Sequence, residues 1–248
     1  MRDRGGATVI GVDHFGDEVA ATYDDSTGEE FRPEVIASTV DFLAGLAGSG
    51  RALEFGIGTG RIALPLAARE IEVHGIDLSP AMVARLRAKP GGDAIPVTLG
   101  DFATATATGR FTLAYLVLNT IANLTTQDAQ VDCFRNAAAH LEPGGRFVIE
   151  VGVPELRRLP PGQSAVPFQV GPHAWAYDLY DPATQAMSSN YVDARGGFRS
   201  IPFRYVWPAE LDLMARLAGM RLAERWADWN REPFTGESGK HISVWVKD

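Results

Sequence analysis

The sequence predicts an α/β fold: a seven-stranded, mostly parallel sheet with helices on both faces, plus a small antiparallel β insertion after the fifth strand. Three observations carry this expectation. Between residues 51 and 151, short apolar runs alternate with segments of helical period. Between 154 and 205 that rhythm gives way to prolines, aromatics and period-two alternation. From residue 208 onward one helix and two more strands complete the sheet.

Residues 1 to about 18 are polar and glycine-bearing, an arm expected to be partly disordered or to wrap the surface. A short helix, a loop from Asp24 to Gly28 and a helix from Pro33 to about Ala47 follow. Pro33 suits a first helical turn, and Val35, Ile36, Thr39, Val40, Leu43 and Leu46 form a stripe at helical spacing. Strand Arg51–Phe55, helix Arg61–Arg69, strand Glu72–Ile76 and helix Pro80–Arg87 come next, the last with Ser79 as its cap. Strands Pro96–Leu99 and Phe111–Val117, helix Thr126–Leu141 and strand Arg146–Val151 extend the alternation. The insertion reads as an antiparallel meander in "AWAYDLYD", "AMSSNYVDAR" and "FRSIPFRYVW", with turns at Asp181-Pro182 and Gly196-Gly197. Helix Pro208–Ala218 and strands Arg221–Trp226 and His241–Lys247 close the chain. The expected organisation is therefore 1–50 N-terminal arm and helices, 51–153 ligand-binding core, 154–205 insertion (substrate cover or dimer surface) and 206–248 C-terminal helix and strands.

Bulk properties narrow the function classes. At 248 residues and 46% hydrophobic content, one large α/β domain with a full core fits the chain. A formal charge of −8 argues against electrostatic capture of nucleic acid. The single cysteine, Cys133, excludes an intrachain disulfide, and no Cys/His spacing suggests a metal. With no signal-like N-terminus and no run approaching the roughly 20 apolar residues of a membrane span, a cytoplasmic protein with no membrane partner is expected.

The stretch Ala52–Arg61, "ALEFGIGTGR", reads as a buried strand end, a glycine turn and a helix start. Gly56, Gly58 and Gly60 leave the backbone bare for a ligand, and the following helix would offer it unpaired N–H groups. Asp77 ends the second strand about twenty residues on, where a carboxylate takes the two hydroxyls of a ribose. A nicotinamide pattern fails from Gly56, whose last position is Arg61, and passes weakly from Gly58 through Ala63. The template E-x-G-x-G-x-G is filled at all positions by Glu54, Gly56, Gly58 and Gly60. "GIDLSPAMV", Gly100-Asp101 and "LEPGGRFVIEV" follow in order, and the loop motifs fall beyond the carboxyl ends of strands.

With these motifs the chain resembles the class I S-adenosylmethionine-dependent methyltransferases, in particular their small-molecule branch, which have a Rossmann-like fold. The resemblance implies S-adenosylmethionine as cofactor. It implies that Glu54 shapes the turn or the surroundings of the amino-acid tail and that Asp77 accepts the ribose hydroxyls. Leu78 and Met82 would flank the adenine, Asp101 would take its amino group, and Phe102 would offer a backbone N–H and an apolar face. Leu118 and Asn119 would lie beneath the sulfonium, and Tyr23-Asp24 matches a pair that closes over the cofactor. Blander roles stand beside these: Asp77 and Asp101 as loop caps, Leu78, Met82 and Phe102 as core, Tyr23 as a packing residue.

Methyl transfer from an activated sulfonium asks mainly for desolvation and alignment, often with a general base. Candidates for a base are His140, His173, His241, Tyr23, Tyr177, Asp178 and Tyr180. His140 reads as a helix-end cap; His14 and His74 lie in the arm and the second strand. His173 and His241 are left as the leading pair. The chain also looks like the branch that dimethylates amino-sugar nucleotides, in its "YD" start, inserted sheet and "ESGKHISVWVK" tail. That branch places a His near the acceptor amine after the fourth strand, where this chain has Asn123, a hydrogen-bonding candidate rather than a base. Phe168, Trp175, Tyr177, Tyr180 and Tyr191 fit a planar or partly apolar acceptor, although alternating aromatics also serve packing. The expected activity is methyl transfer to N or O of a small-molecule acceptor in metabolite biosynthesis, by a monomer or homodimer. Alternatives are a non-catalytic cofactor-binding subunit or regulator and, less favoured, an RNA or protein methyltransferase, the acidic chain counting against RNA.

Overall fold

The computed structural model describes residues 15–26, 28–172 and 174–248, so most of the expected N-terminal arm and His173 lie outside the described residues. Helix α1 (Asp17–Thr22) and two 3₁₀ turns (Tyr23–Asp25 and Glu29–Phe31) lead into α2 (Pro33–Ala47). The alternating core is β1 (Ala52–Phe55), α3 (Ala63–Ala67), β2 (Val73–Asp77), α4 (Pro80–Arg87), β3 (Val97–Leu99), β4 (Phe111–Leu116), α5 (Gln127–His140) and β5 (Leu141–Gly152). Four strands follow, β6 (Ala165–Val170), β7 (Ala174–Tyr180), β8 (Ala186–Asp193) and β9 (Phe198–Arg204), then α6 (Pro208–Leu217), β10 (Met220–Trp226) and β11 (Lys240–Lys247).

The main sheet has the order β3-β2-β1-β4-β5-β11-β10. β1 to β5 pair in parallel, and β11 runs antiparallel between β5 and β10. Every residue of β1 and β2 is buried, as a strand covered on both faces requires. One face packs on Phe134, Phe147, Met214 and Trp245, the other on Phe42, Leu43, Leu66 and Tyr115. Strand order reverses between β1 and β4, which opens a crevice beyond their carboxyl ends. The inserted strands form a separate antiparallel sheet, β6-β7-β8-β9. It is anchored by Arg204, which donates to Gln130 Oε1 of α5 at 2.5 Å and to Glu210 Oε1 of α6 at 2.7 Å.

Local chemistry explains where sequence and structure agree. Ser79 caps α4, its Oγ accepting from Met82 N at 3.3 Å, and Pro80 opens the helix at the residue expected. Thr126 Oγ1 caps α5 in the same way, accepting from Ala129 N at 3.1 Å. Two expectations are corrected. The helix expected over Arg61–Arg69 is only Ala63–Ala67: Pro65 has no N–H for Arg61 O, which delays the regular ladder, and the chain turns out at Glu70 (φ +64°). A helix this short lends the glycine loop little dipole. The insertion has four strands, not three segments: Pro167 lies in β6, at the edge of its sheet, where a missing donor is tolerated. Among the described residues no helix is long and apolar enough to cross a membrane.

Candidate active site

The crevice is built from the loop after β1. Gly56, Gly58 and Gly60 have φ of +71°, +55° and +79°, a region side chains rarely adopt. A Cβ on Gly56 would stand 2.7 Å from Thr120 Cγ2, and one on Gly60 2.3 Å from Leu86 Cδ1. The loop is tied to β2: Gly56 N donates to Ile76 O at 2.8 Å, and Gly58 N donates to Asp77 Oδ2 at 2.6 Å. The other oxygen of Asp77 accepts from Ser79 N at 2.8 Å. Asp77 is thus a loop brace at the crevice. Beside it Leu78 is 41% exposed, an apolar face presented at a strand end.

Glu54 lies buried at the end of β1 and accepts from Tyr115 OH at 2.8 Å. Burial raises its pKa to about 8, against the pull of that hydroxyl and of Arg61. Glu54, Tyr23, Arg61 and Leu118 line a small pocket with the glycine loop. Tyr23 covers it from the first 3₁₀ turn, its ring edge-on to Phe31 at 5.5 Å. Asp24 fastens that turn to the loop: Thr59 Oγ1 donates to its Oδ1 at 2.6 Å and Lys89 pairs with its Oδ2 at 2.7 Å.

Leu118 and Asn119, after β4, both adopt left-handed conformations, with φ of +57° and +58°. Glu150 at the end of β5 holds this turn. Its Oε2 accepts from Leu118 N at 3.0 Å and its carbonyl from Asn119 N at 3.2 Å. Its Oε1 accepts from Trp229 Nε1 and from Lys240 Nζ, each at 3.1 Å. No sequence motif flagged Glu150, because a Glu within "VIEV" reads as an ordinary strand residue.

Above these loops lies an open-mouthed cavity of about 1180 Å³, bordered by α1, Tyr23, the ends of β4 and β5 and the inner face of the inserted sheet. Leu118, Asn119, Asn123, Asp178, Ser189 and Tyr191 are on its wall. Asn123 is held by its Nδ2, which donates to Thr120 O at 3.2 Å. Burial raises the pKa of Asp178 and of Tyr191.

The other expected cofactor residues lie around the loop with packing or capping contacts of their own, Gly100 N donating to Asp77 O at 2.8 Å beside Asp101, whereas the histidines fall elsewhere. Met82 is buried beneath the loop, its Cε 3.4 Å from the position of a Gly58 Cβ. The Phe102 ring packs in the core, 6.0 Å from that of Phe55. Asp101 is exposed, and its Oδ1 accepts from Ala103 N at 2.8 Å, a loop-cap bond. His241, expected near the acceptor, is fully buried in β11 and absent from the cavity wall. Its Nδ1 engages Ser243 Oγ at 2.8 Å, that hydroxyl accepts from Arg225, and Arg225 is paired with Asp212 of α6. Burial, then the Arg225 charge, lower its pKa to about 4, so it stays neutral and shielded. His140 is also a core residue: its Nε2 accepts from Ala107 N at 2.9 Å. Among the described residues, no histidine lines the cavity.

Comparison with known proteins agrees with this geometry. A family model described as a methyltransferase domain matches residues 52–145, the span from β1 into β5. The cypemycin N-terminal methyltransferase of a Streptomyces species is 25% identical over 240 residues, covering 90% of this chain and 97% of that protein. The solved structure of the CcbJ methyltransferase from Streptomyces caelestis is 37% identical, with a TM-score of 0.81 over 94% of this chain and 98% of that one. S-adenosylmethionine-bound CalS10, an amino pentose methyltransferase from Micromonospora echinaspora, shares the fold at 21% identity, with a TM-score of 0.65 over 92% of this chain and 95% of that one. The bare glycine cradle, the braced carboxylate of Asp77 and the exposed Leu78 fit S-adenosylmethionine, whose sulfonium supplies the methyl group. The chain belongs to the class I S-adenosylmethionine-dependent methyltransferases.

Proposed function

We propose that the chain methylates a nitrogen of a small-molecule acceptor held in the cavity beneath the inserted sheet. The observation that carries this reading is the cavity itself: one wall is the turn at Leu118-Asn119 with the Tyr23 lid, and the opposite wall is the inserted sheet. An acceptor there is held between the inserted sheet and the cofactor's reactive end, so positioning can do most of the work. Nitrogen is favoured because the neutral amine, in equilibrium with its ammonium at pH 7, attacks with its own lone pair, whereas an alcohol needs a base to remove its proton as it attacks. The cypemycin N-terminal methyltransferase, named for the N-terminus on which it acts, supports the same choice. Acceptors matched as amine and alcohol pairs, assayed for S-adenosylhomocysteine release, test it. Methylation of amine members only is expected; turnover confined to the alcohols would refute it.

In this reading Asp77 and Leu78 hold the nucleoside, and Glu54 faces the ammonium of the amino-acid tail. With its pKa raised by burial from an ordinary 4.5 to about 8, Glu54 carries a proton in the free chain at pH 7. That protonated form favours the fold below the unfolded pKa, an advantage lost as pH rises through 8. A cation placed opposite Glu54 favours its carboxylate, so binding at pH 7 is expected to release close to one proton. Calorimetric titration with S-adenosylhomocysteine in buffers of different ionisation enthalpy reads this directly. Glu54→Gln should abolish the buffer dependence, and a wild-type signal independent of buffer would remove Glu54 from the tail site.

A further inference from the structure

On the inner face of the inserted sheet one carboxylate is set into the cavity wall between two hydroxyls. β7 alternates, placing Ala176, Asp178 and Tyr180 on the inner side, and Asp178 lies directly opposite Ser189 of β8. Ser189 Oγ donates to Asp178 Oδ1 at 2.6 Å, and Tyr180 OH lies 3.5 Å from Oδ2. Two hydroxyls fill only part of what an ionised carboxylate can accept. Among the described residues Asp178 has no Lys or Arg partner in an ion pair; the single described cation on the wall, Arg199, is stacked over Tyr191 with its Cζ 4.7 Å from the ring centroid. The other acidic residues of the wall, Glu18, Glu30, Glu155 and Asp193, add negative potential but lack this arrangement.

A purely structural role accounts poorly for Asp178. The β7–β8 register is already secured by the backbone ladder from Ala174↔Asp193 to Tyr180↔Met187. Aspartate is disfavoured in strands, and neutral hydroxyls do not offset the desolvation of a charge. Burial already disfavours its charged form, and the groups that restrain the shift are the hydroxyls of Ser189 and Tyr180. Among the described residues the wall pairs no cation with Asp178, and the cavity has room for one.

We propose that Asp178 is the docking point for a cationic group of the methyl acceptor, an alkylammonium on an aromatic or otherwise apolar body. Ser189 and Tyr180 orient the carboxylate, and the rings of Phe168, Tyr191 and Phe203 on the same wall take the body. Asp178 selects the acceptor by charge, and methyl transfer does not run through it. The proposal rests on the cavity being the acceptor site, as read above.

The test uses the full chain saturated with S-adenosylhomocysteine and titrated at pH 7 with three probes of one shape: tyramine (cation), tyrosol (neutral) and 4-hydroxyphenylacetate (anion). Wild-type protein is expected to bind tyramine about tenfold more tightly than tyrosol, the worth of one charge-assisted hydrogen bond, and the anion least. Asp178→Asn should bring tyramine level with tyrosol while leaving tyrosol and S-adenosylhomocysteine affinities unchanged. Asp178→Glu should keep the preference for the cation, and Ser189→Ala should narrow it; the latter serves as the reading if Asp178→Asn fails to fold. Equal binding of tyramine and tyrosol by the wild type, no binding of either, or a preference that survives in Asp178→Asn, overturns the proposal. Failure of the wild type to bind S-adenosylhomocysteine is a separate result and overturns the underlying assignment of the site together with it.

Discussion

Asp77→Ala is expected to lower affinity for S-adenosylmethionine by at least about a hundredfold. The carboxylate is 8% exposed and braces the glycine loop through Gly58 N–H and the start of α4 through Ser79 N–H. In the proposed complex it also faces the ribose. Hydrogen bonds to a charged group contribute about 1.5–3 kcal/mol each, so losing two ribose bonds corresponds to about 3–6 kcal/mol. The alanine also leaves two backbone donors without their acceptor, which unsettles Gly58 in its left-handed conformation. Asp77→Asn separates the two roles. One amide oxygen can still accept from Gly58 N–H, so the loop should stay closer to its native position while the ribose loses an acceptor. Titration calorimetry with S-adenosylhomocysteine, beside urea unfolding of both variants, measures the two effects. An Asp77→Ala chain that binds within about threefold of wild type would leave Asp77 a brace and nothing more.

Much of this was legible in the residues, and the reasons are local. Ser79-Pro80 and Thr126 mark helix starts because a capping hydroxyl and a fixed φ act within one turn of chain. The glycine loop was legible because three positive φ angles demand glycine. Leu118 and Asn119 have the same backbone sign without a glycine to announce it, since a distant residue, Glu150, holds them. His241 was misplaced because a loop precedes it in the sequence. Period-two alternation sets His241 and Ser243 on the face of Trp245, which is fully buried, and that pattern was the signal available. Asp178 could be named but not ranked: its opposition to Ser189 depends on the register of β7 against β8, which no single strand specifies.

The second large effect is expected at Glu150, which combines stability and function. Glu150 is 6% exposed, and its side chain satisfies donors from three places, the Leu118 turn, Trp229 between β10 and β11, and Lys240 at the start of β11. Glu150→Ala leaves Leu118 N–H and Trp229 Nε1–H without their acceptor, at about 1–3 kcal/mol each. A loss of about 3 kcal/mol corresponds to a fall in Tm of about 6–12 °C for a chain of this size. The turn would also lose what opposes its strain: a leucine held left-handed costs about 1–2 kcal/mol, so Leu118 should relax toward an extended conformation. That movement would carry Asn119 away from Gly152 N, which donates to its Oδ1 at 2.6 Å, and would reshape the wall shared by both cavities. Trp229→Phe is the control. It removes only the indole donor and keeps an aromatic ring against Phe42, whose centroid is 5.4 Å from that of Trp229. It should therefore retain cofactor affinity while losing a smaller part of the stability. If Glu150→Ala lowers Tm but binds S-adenosylhomocysteine as the wild type does, the turn keeps its shape unaided, and the influence of Glu150 on the site is confined to stability.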